Sequence, residues 1–166
     1  MTAHFHILMV CMGNICRSPT AHGVMQHLVE REGLQDFVTV DSCGTHGYHV
    51  GEAPDARSQQ HALRRGYDLS DQRARQVAAT DFDNADLILS MDAQNMAILR
   101  ERCPSAQQHK LHLLTEYCQR SRATAVPDPY YGGVSGFEKV LNLVEDACVG
   151  VLAALPAGVR SPNTLR

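Results

Sequence analysis

Val10-Cys11-Met12-Gly13-Asn14-Ile15-Cys16-Arg17-Ser18-Pro19 joins two segments of different period. Before it lies an apolar run of strand length, Phe5 to Val10. After it Ala21, Val24, Met25, Leu28 and Val29 recur at helical spacing. The stretch therefore reads as strand, tight loop, helix. A loop so placed turns its backbone N–H groups, and the positive end of the helix, toward one small volume. That volume suits a phosphate-like anion. Cys11 opens the loop with a nucleophile, and Arg17 closes it with a planar fork able to grip two oxygens of one anion. Cys-x5-Arg alone is a weak pattern, and the neighbouring residues make it specific. Gly13 is free to take positive φ. Asn14 tolerates left-handed backbone and can bond the loop from inside. Ser18 is a natural helix N-cap, with Pro19 at the first helical position.

Working outward, Ser18 to Glu32 reads as the first helix, stopped by Gly33. Phe37 to Ser42 reads as a second strand, and Cys43 to Pro54 as a loop. Asp55 to Arg65 reads as a polar helix stopped by Gly66, and Ser70 to Ala79 as a short helix with Arg73 and Arg75 on a basic face. Leu87 to Met91 is apolar enough for a strand buried on both faces. A helix follows from Asp92 or Ala93 to Arg102, ended by Pro104; Asp92 either caps it or faces Arg17, with the cap favoured. Leu111, Leu113 and Leu114 mark a short fourth strand. Thr115 to Ser135 has no strong period, and so long a loop in a compact domain is more often functional than idle. The stripe from Phe137 through Val144 and Cys148 to Leu155 is the last helix. Strands alternating with helices imply an α/β fold, a doubly wound parallel sheet with helices on both faces. Ligands of such sheets sit at the carboxyl ends of the strands, where the Cys11 loop begins.

Composition narrows the function. The 166 residues suffice for one domain, read here as residues 1–156 with a loose tail over 157–166. A net charge of −3 argues against a general nucleic-acid binder. No apolar run approaches the roughly 20 residues of a membrane span, and the first residues lack a signal-like pattern. Six cysteines, two of them in one loop, fit a reducing cytoplasm better than a disulfide framework. Cys43-x2-His46-x2-His49 and His109-x2-His112 lack the paired halves of a structural zinc site, so no metal is assigned. Two readings of Cys16 stand side by side: a redox partner of Cys11, or a small packing group.

At every fixed position from Val10 to Pro19 the chain matches V-C-x-G-N-I-C-R-S-P, and so resembles the low-molecular-weight protein tyrosine phosphatases. The resemblance extends to Asp41-Ser42, Gly44-Thr45, Asp86-Leu87-Ile88, Met91-Asp92 and Asp128-Pro129-Tyr130-Tyr131-Gly132. It implies a four-stranded sheet ordered 2-1-3-4 and a cysteine-dependent phosphatase of phosphotyrosine and aryl phosphates, working without cofactor through a phosphocysteine. It implies that Cys11, Arg17 and Asp128 are catalytic. Met12, Gly13, Asn14, Ile15, Cys16 and Ser18 would cradle the phosphate, and Tyr48, Tyr130 and Tyr131 would wall a slot for the ring. Asn14 and Ser42 would brace the loop from behind. Many relatives add a histidine shortly before A-R-Q, whereas this chain has Gln72 before Arg73-Ala74-Arg75-Gln76. The implied partners are phosphotyrosine-containing proteins and a cognate tyrosine kinase, with the chain a monomer or weak dimer. The alternative is a thiol-dependent arsenate reductase of the same fold. That chemistry needs two more cysteines near the third strand, and Asp81 to Arg102 contains none.

Overall fold

Along β1 (Phe5–Cys11) the side chains alternate between two cores. Ile7, Met9 and Cys11 point to one face, and Leu8 and Val10 to the other. All five are buried, so β1 must lie inside a sheet covered on both sides. The computed structural model, which describes residues 4–130 and 133–160, has that arrangement. β2 (Val38–Gly44), β3 (Leu87–Ser90) and β4 (Leu111–Leu113) join β1 in one parallel sheet of order β2-β1-β3-β4. The register pairs Cys11 with Gly44 and Val10 with Ser90. Three strands thus end beside the Cys11 loop.

α1 (Arg17–Arg31) and α5 (Val134–Ala154) cover the Met9 face, joined by residues of α2 (Ala56–Arg64). α3 (Ala79–Asn84) and α4 (Ala93–Arg102) cover the Val10 face through Phe82, Met96 and Leu99. α1 ends where Gly33 takes φ 70°, and Leu34 N–H bonds back to Val29 C=O. The last helix runs as the apolar stripe predicts. Beyond it Ala157–Arg160 forms α6, and Val159 is buried on the main core. The sequence predicts the start of a loose tail here.

One predicted element is replaced. Residues 70–78 are not helical: they run as turn and extended chain, and the helix begins at Ala79. The reason is tertiary. Gly44 N–H bonds Arg75 C=O and Gly44 C=O accepts from Val77 N–H, a bridge alongside β2. The basic face also finds acids elsewhere, since Arg75 reaches both Asp41 and Asp81. These bonds satisfy the backbone that a helix would otherwise have to satisfy internally.

Candidate active site

The loop after β1 is shaped by what holds its carbonyls. Cys11, Met12 and Ile15 carbonyls accept N–H bonds from Thr45, His46 and Asp55, at 2.9, 3.0 and 2.8 Å. With the carbonyls turned toward that flanking chain, the opposite edges of the peptides are left for the cavity. Gly44 permits the approach, because a Cβ there would stand 2.6 Å from the Met12 carbonyl oxygen. Of the two loop residues suited to left-handed backbone, Asn14 adopts it (φ 59°). Gly13 serves space instead: a Cβ there would meet the His49 ring at 3.0 Å. Ser18 is likewise not the cap. α1 starts one residue earlier, after Cys16, and the Ser18 hydroxyl lies 3.0 Å from Cys11 Sγ.

Behind the loop stands a chain of polar side chains. Asn14 N–H points at Cys11 Sγ (3.3 Å). Asn14 Nδ2 donates to Ser18 Oγ (2.8 Å) and Ser42 Oγ (3.0 Å), and Asn14 Oδ1 accepts from Arg75 N–H (3.0 Å). Ser42 in turn donates to Gln72 Oε1 (3.4 Å), whose amide nitrogen holds Pro19 C=O (2.9 Å). Gln72 therefore occupies the brace expected of a histidine. An imidazole is present as well, from α1: His22 Nδ1 lies 3.3 Å from Ser42 Oγ. Burial pushes the His22 pKa down, against the pull of Asp41 and Gln72 and with the push of Arg75. His22 went unread in the sequence, although it stands four residues after Ser18 and so shares its helix face.

Arg17 is buried and fixed. Its Nη1 donates to Asp92 Oδ2 (2.6 Å) and Val126 C=O (3.1 Å), and its Nη2 lies 3.8 Å from Asp128 Oδ2. Asp92 does two jobs, since its other oxygen caps α4 by accepting from Asn95 N–H. Asp128 is a third exposed, and its Oδ1 accepts from Tyr130 N–H (3.0 Å). Cys11, Met12, Gly13, Ile15, Cys16, Arg17, Tyr48, His49, Asp128 and Tyr130 line one cavity of about 290 Å³. Asn14, Ser18 and Ser42 support it from behind, and Tyr131 falls outside the described residues. Tyr48 is largely exposed and stacks on His46. His49, read in the sequence only as part of a rejected zinc pattern, leans over Gly13 and bonds Glu52.

The other cysteines differ from Cys11 in surroundings. Burial pushes the Cys16 thiol up to about 12 despite a bond from Ser58, and pushes Cys43 and Cys148 up as well. Among the described residues no three of His, Cys, Asp and Glu are grouped to hold a metal ion. Among the same residues no helix is long and apolar enough to cross a membrane.

This loop, sheet order and cavity have counterparts. A family model described as low molecular weight phosphotyrosine protein phosphatase matches residues 6–161. A low molecular weight protein-tyrosine-phosphatase of Streptomyces coelicolor is 42% identical, covering 91% of this chain and 93% of its own length. The crystal structure of a protein tyrosine phosphatase from Entamoeba histolytica superposes with a TM-score of 0.89 at 39% identity, covering 91% of this chain and 96% of that one. A Drosophila protein titled arginine phosphatase superposes with a TM-score of 0.82 at 32% identity, covering 92% and 96%. The chain belongs to the low molecular weight phosphotyrosine protein phosphatase family. It is an enzyme of the protein tyrosine phosphatase class.

Proposed function

We propose that the chain hydrolyses phosphotyrosine in proteins with Cys11 as nucleophile, Arg17 as anion clamp and Asp128 as proton donor. One observation carries this reading: a single cavity is lined by all three groups, with Tyr48 and Tyr130 at its rim. Cys11 attacks as the thiolate. An S–P bond forms, the P–O bond to the tyrosine ring breaks, and the departing phenolate takes a proton from Asp128. Water then attacks phosphorus, passing its proton to the Asp128 carboxylate. The P–S bond breaks, the thiolate returns and inorganic phosphate leaves. The Ser18 hydroxyl, 3.0 Å from Sγ, can donate to the sulfur while it carries charge. Arg17 Nη1 is committed to Asp92 and Val126, so the rest of the fork is the part that meets the phosphoryl oxygens. Every group named comes from one chain, and the reaction needs no second copy and no cofactor.

Tyrosine kinases are the reaction class that supplies the substrate, and the free cysteines of the described chain fit a reducing cytoplasm. Cys16 lines the same cavity as Cys11, which supports the redox reading. Peroxide would oxidise the Cys11 thiolate to sulfenic acid, and the Cys16 thiol would displace water from it to form a disulfide that dithiothreitol reduces.

Turnover of a phosphotyrosine peptide is to be compared, on one preparation, with turnover of a phosphoarginine peptide and with thiol-dependent arsenate reduction. The likeness to a protein titled arginine phosphatase motivates the second arm. Tyr48, Tyr130 and Ile15 at the cavity suit stacking on an aryl group. Phosphotyrosine hydrolysis should exceed both other activities. Faster phosphoarginine hydrolysis, or arsenate reduction as the main activity, would overturn the reading.

A further inference from the structure

The carbonyls of Val126 and Tyr130 lie two residues to either side of Asp128, and each is held by a guanidinium. Arg17 Nη1 donates to Val126 C=O at 3.1 Å, and Arg57 Nη2 donates to Tyr130 C=O at 3.2 Å. We infer that Arg57 is a positioning residue for the segment bearing Asp128, forming the second half of a two-arginine clasp. The inference rests on the reading of Asp128 as proton donor.

The clasp is anchored to the nucleophile loop. Asp55 N–H bonds the Ile15 carbonyl at 2.8 Å, so Asp55 moves with that loop. Its carboxylate, only 11% exposed, takes the Arg57 fork in two bonds, Nε to Oδ1 (3.1 Å) and Nη2 to Oδ2 (3.0 Å). The guanidinium also packs against two rings, 5.5 Å from the Tyr130 centroid and 4.9 Å from that of Phe137. A solvent-facing ion pair by itself holds little, but a bidentate pair packed against two rings has a defined orientation. Burial would push the Asp55 carboxyl up, yet bonds from Arg57 hold it below the usual carboxylate range. The coupling to chemistry is short. Arg57 fixes the Tyr130 carbonyl, and the Tyr130 N–H fixes Asp128 Oδ1 at 3.0 Å. Nucleophile and acid are thereby referred to one frame: Ile15, Asp55, Arg57, Tyr130, Asp128.

Leaving-group dependence separates this role from a general loss of stability. Phenyl phosphate has a poor leaving group that needs a proton, and p-nitrophenyl phosphate a good one. In kcat/KM, Arg57→Ala should lose about tenfold on phenyl phosphate and under about threefold on p-nitrophenyl phosphate. Arg57→Lys, which keeps charge without the fork, should recover less than half of the loss. Adding Arg57→Ala to Asp128→Asn should cost nothing further, since there is no acid left to position. If Asp128→Asn favours the nitrophenyl ester but Arg57→Ala slows both esters equally, or adds its full loss to Asp128→Asn, the clasp is overturned and the acid stands. If Asp128→Asn itself slows both esters equally, the acid assignment fails and the clasp with it.

Discussion

The segment from Cys11 to Ser18 and the segment from Val126 to Tyr130 meet at one cavity but are held by different means. The first is gripped at both its backbone and a buried side chain: three backbone N–H groups take up its carbonyls, and Asn14 alone reaches Ser18, Ser42 and Arg75. Asn14 and Ser18 are buried. The second is gripped mainly by its own backbone, through Val126 to Met91 and Arg17, and through Tyr130 to Arg57. Asp128 stays a third exposed between those tethers. An anion cradle must not rearrange as charge develops, so its donors are fixed in advance. The proposed proton donor is a carboxylate set between two pinned carbonyls.

The sharpest break of this contrast lies at the nucleophile. Cys11→Ser should abolish turnover while retaining vanadate binding in the cradle, and residual activity above about a tenth of wild type would contradict covalent catalysis. Arg17→Lys keeps charge but loses the fork, and should cost about 10²–10³ in rate, checked by steady-state kinetics. Asp128→Asn should slow phosphotyrosine-peptide hydrolysis by about 10²–10⁴ and p-nitrophenyl phosphate by less, with little change in phosphate affinity. Equal losses on both substrates would place the acid elsewhere.

Behind the cradle the effects are smaller. His22→Ala removes one bond to Ser42 and should cost about 1 kcal/mol, roughly fivefold in rate. His22→Gln should recover most of this, because it can still donate to Ser42. The folded-state pKa of His22 is depressed, so its neutral form contributes stability that is present above the unfolded value and lost as pH falls through the folded one. On acidification below about 6.5, wild-type Tm should fall more steeply than that of His22→Gln. The smallest expected change concerns Cys16. Cys16→Ser should keep normal activity but recover less fully in dithiothreitol after mild peroxide, and equal recovery would leave Cys16 as a packing group.

The same contrast explains what could be read from the chain beforehand. The nucleophile loop is contiguous, so its strand, turn residues and helix announce themselves at fixed spacing. The alternating burial of β1 follows from its apolar run in the same way. Asp128 sits in a segment without period, and only the resemblance to D-P-Y separates it from an ordinary turn aspartate. Residues 70–78 misled because their pattern looks helical in isolation, whereas Gly44 and Asn14 claim their backbone. Arg57 meets Tyr130, and His22 meets Ser42, only through the fold, whereas His49 stands in the Cys43-x2-His46-x2-His49 pattern yet bonds Glu52 and leans over Gly13. Even within the legible loop one role differs: Ser18 faces sulfur rather than capping the helix, while Asn14, read as tolerant of left-handed backbone, adopts it.

The central claim is that Cys11 carries the phosphoryl group between the two halves of the reaction. Its most direct test is rapid acid quench of the enzyme mixed with p-nitrophenyl phosphate, followed by intact-mass and peptide mapping. The account predicts a transient gain of one phosphoryl group on the peptide bearing Cys11, absent from Cys11→Ser. Turnover with no such adduct, or an adduct mapped to a different residue, would contradict it.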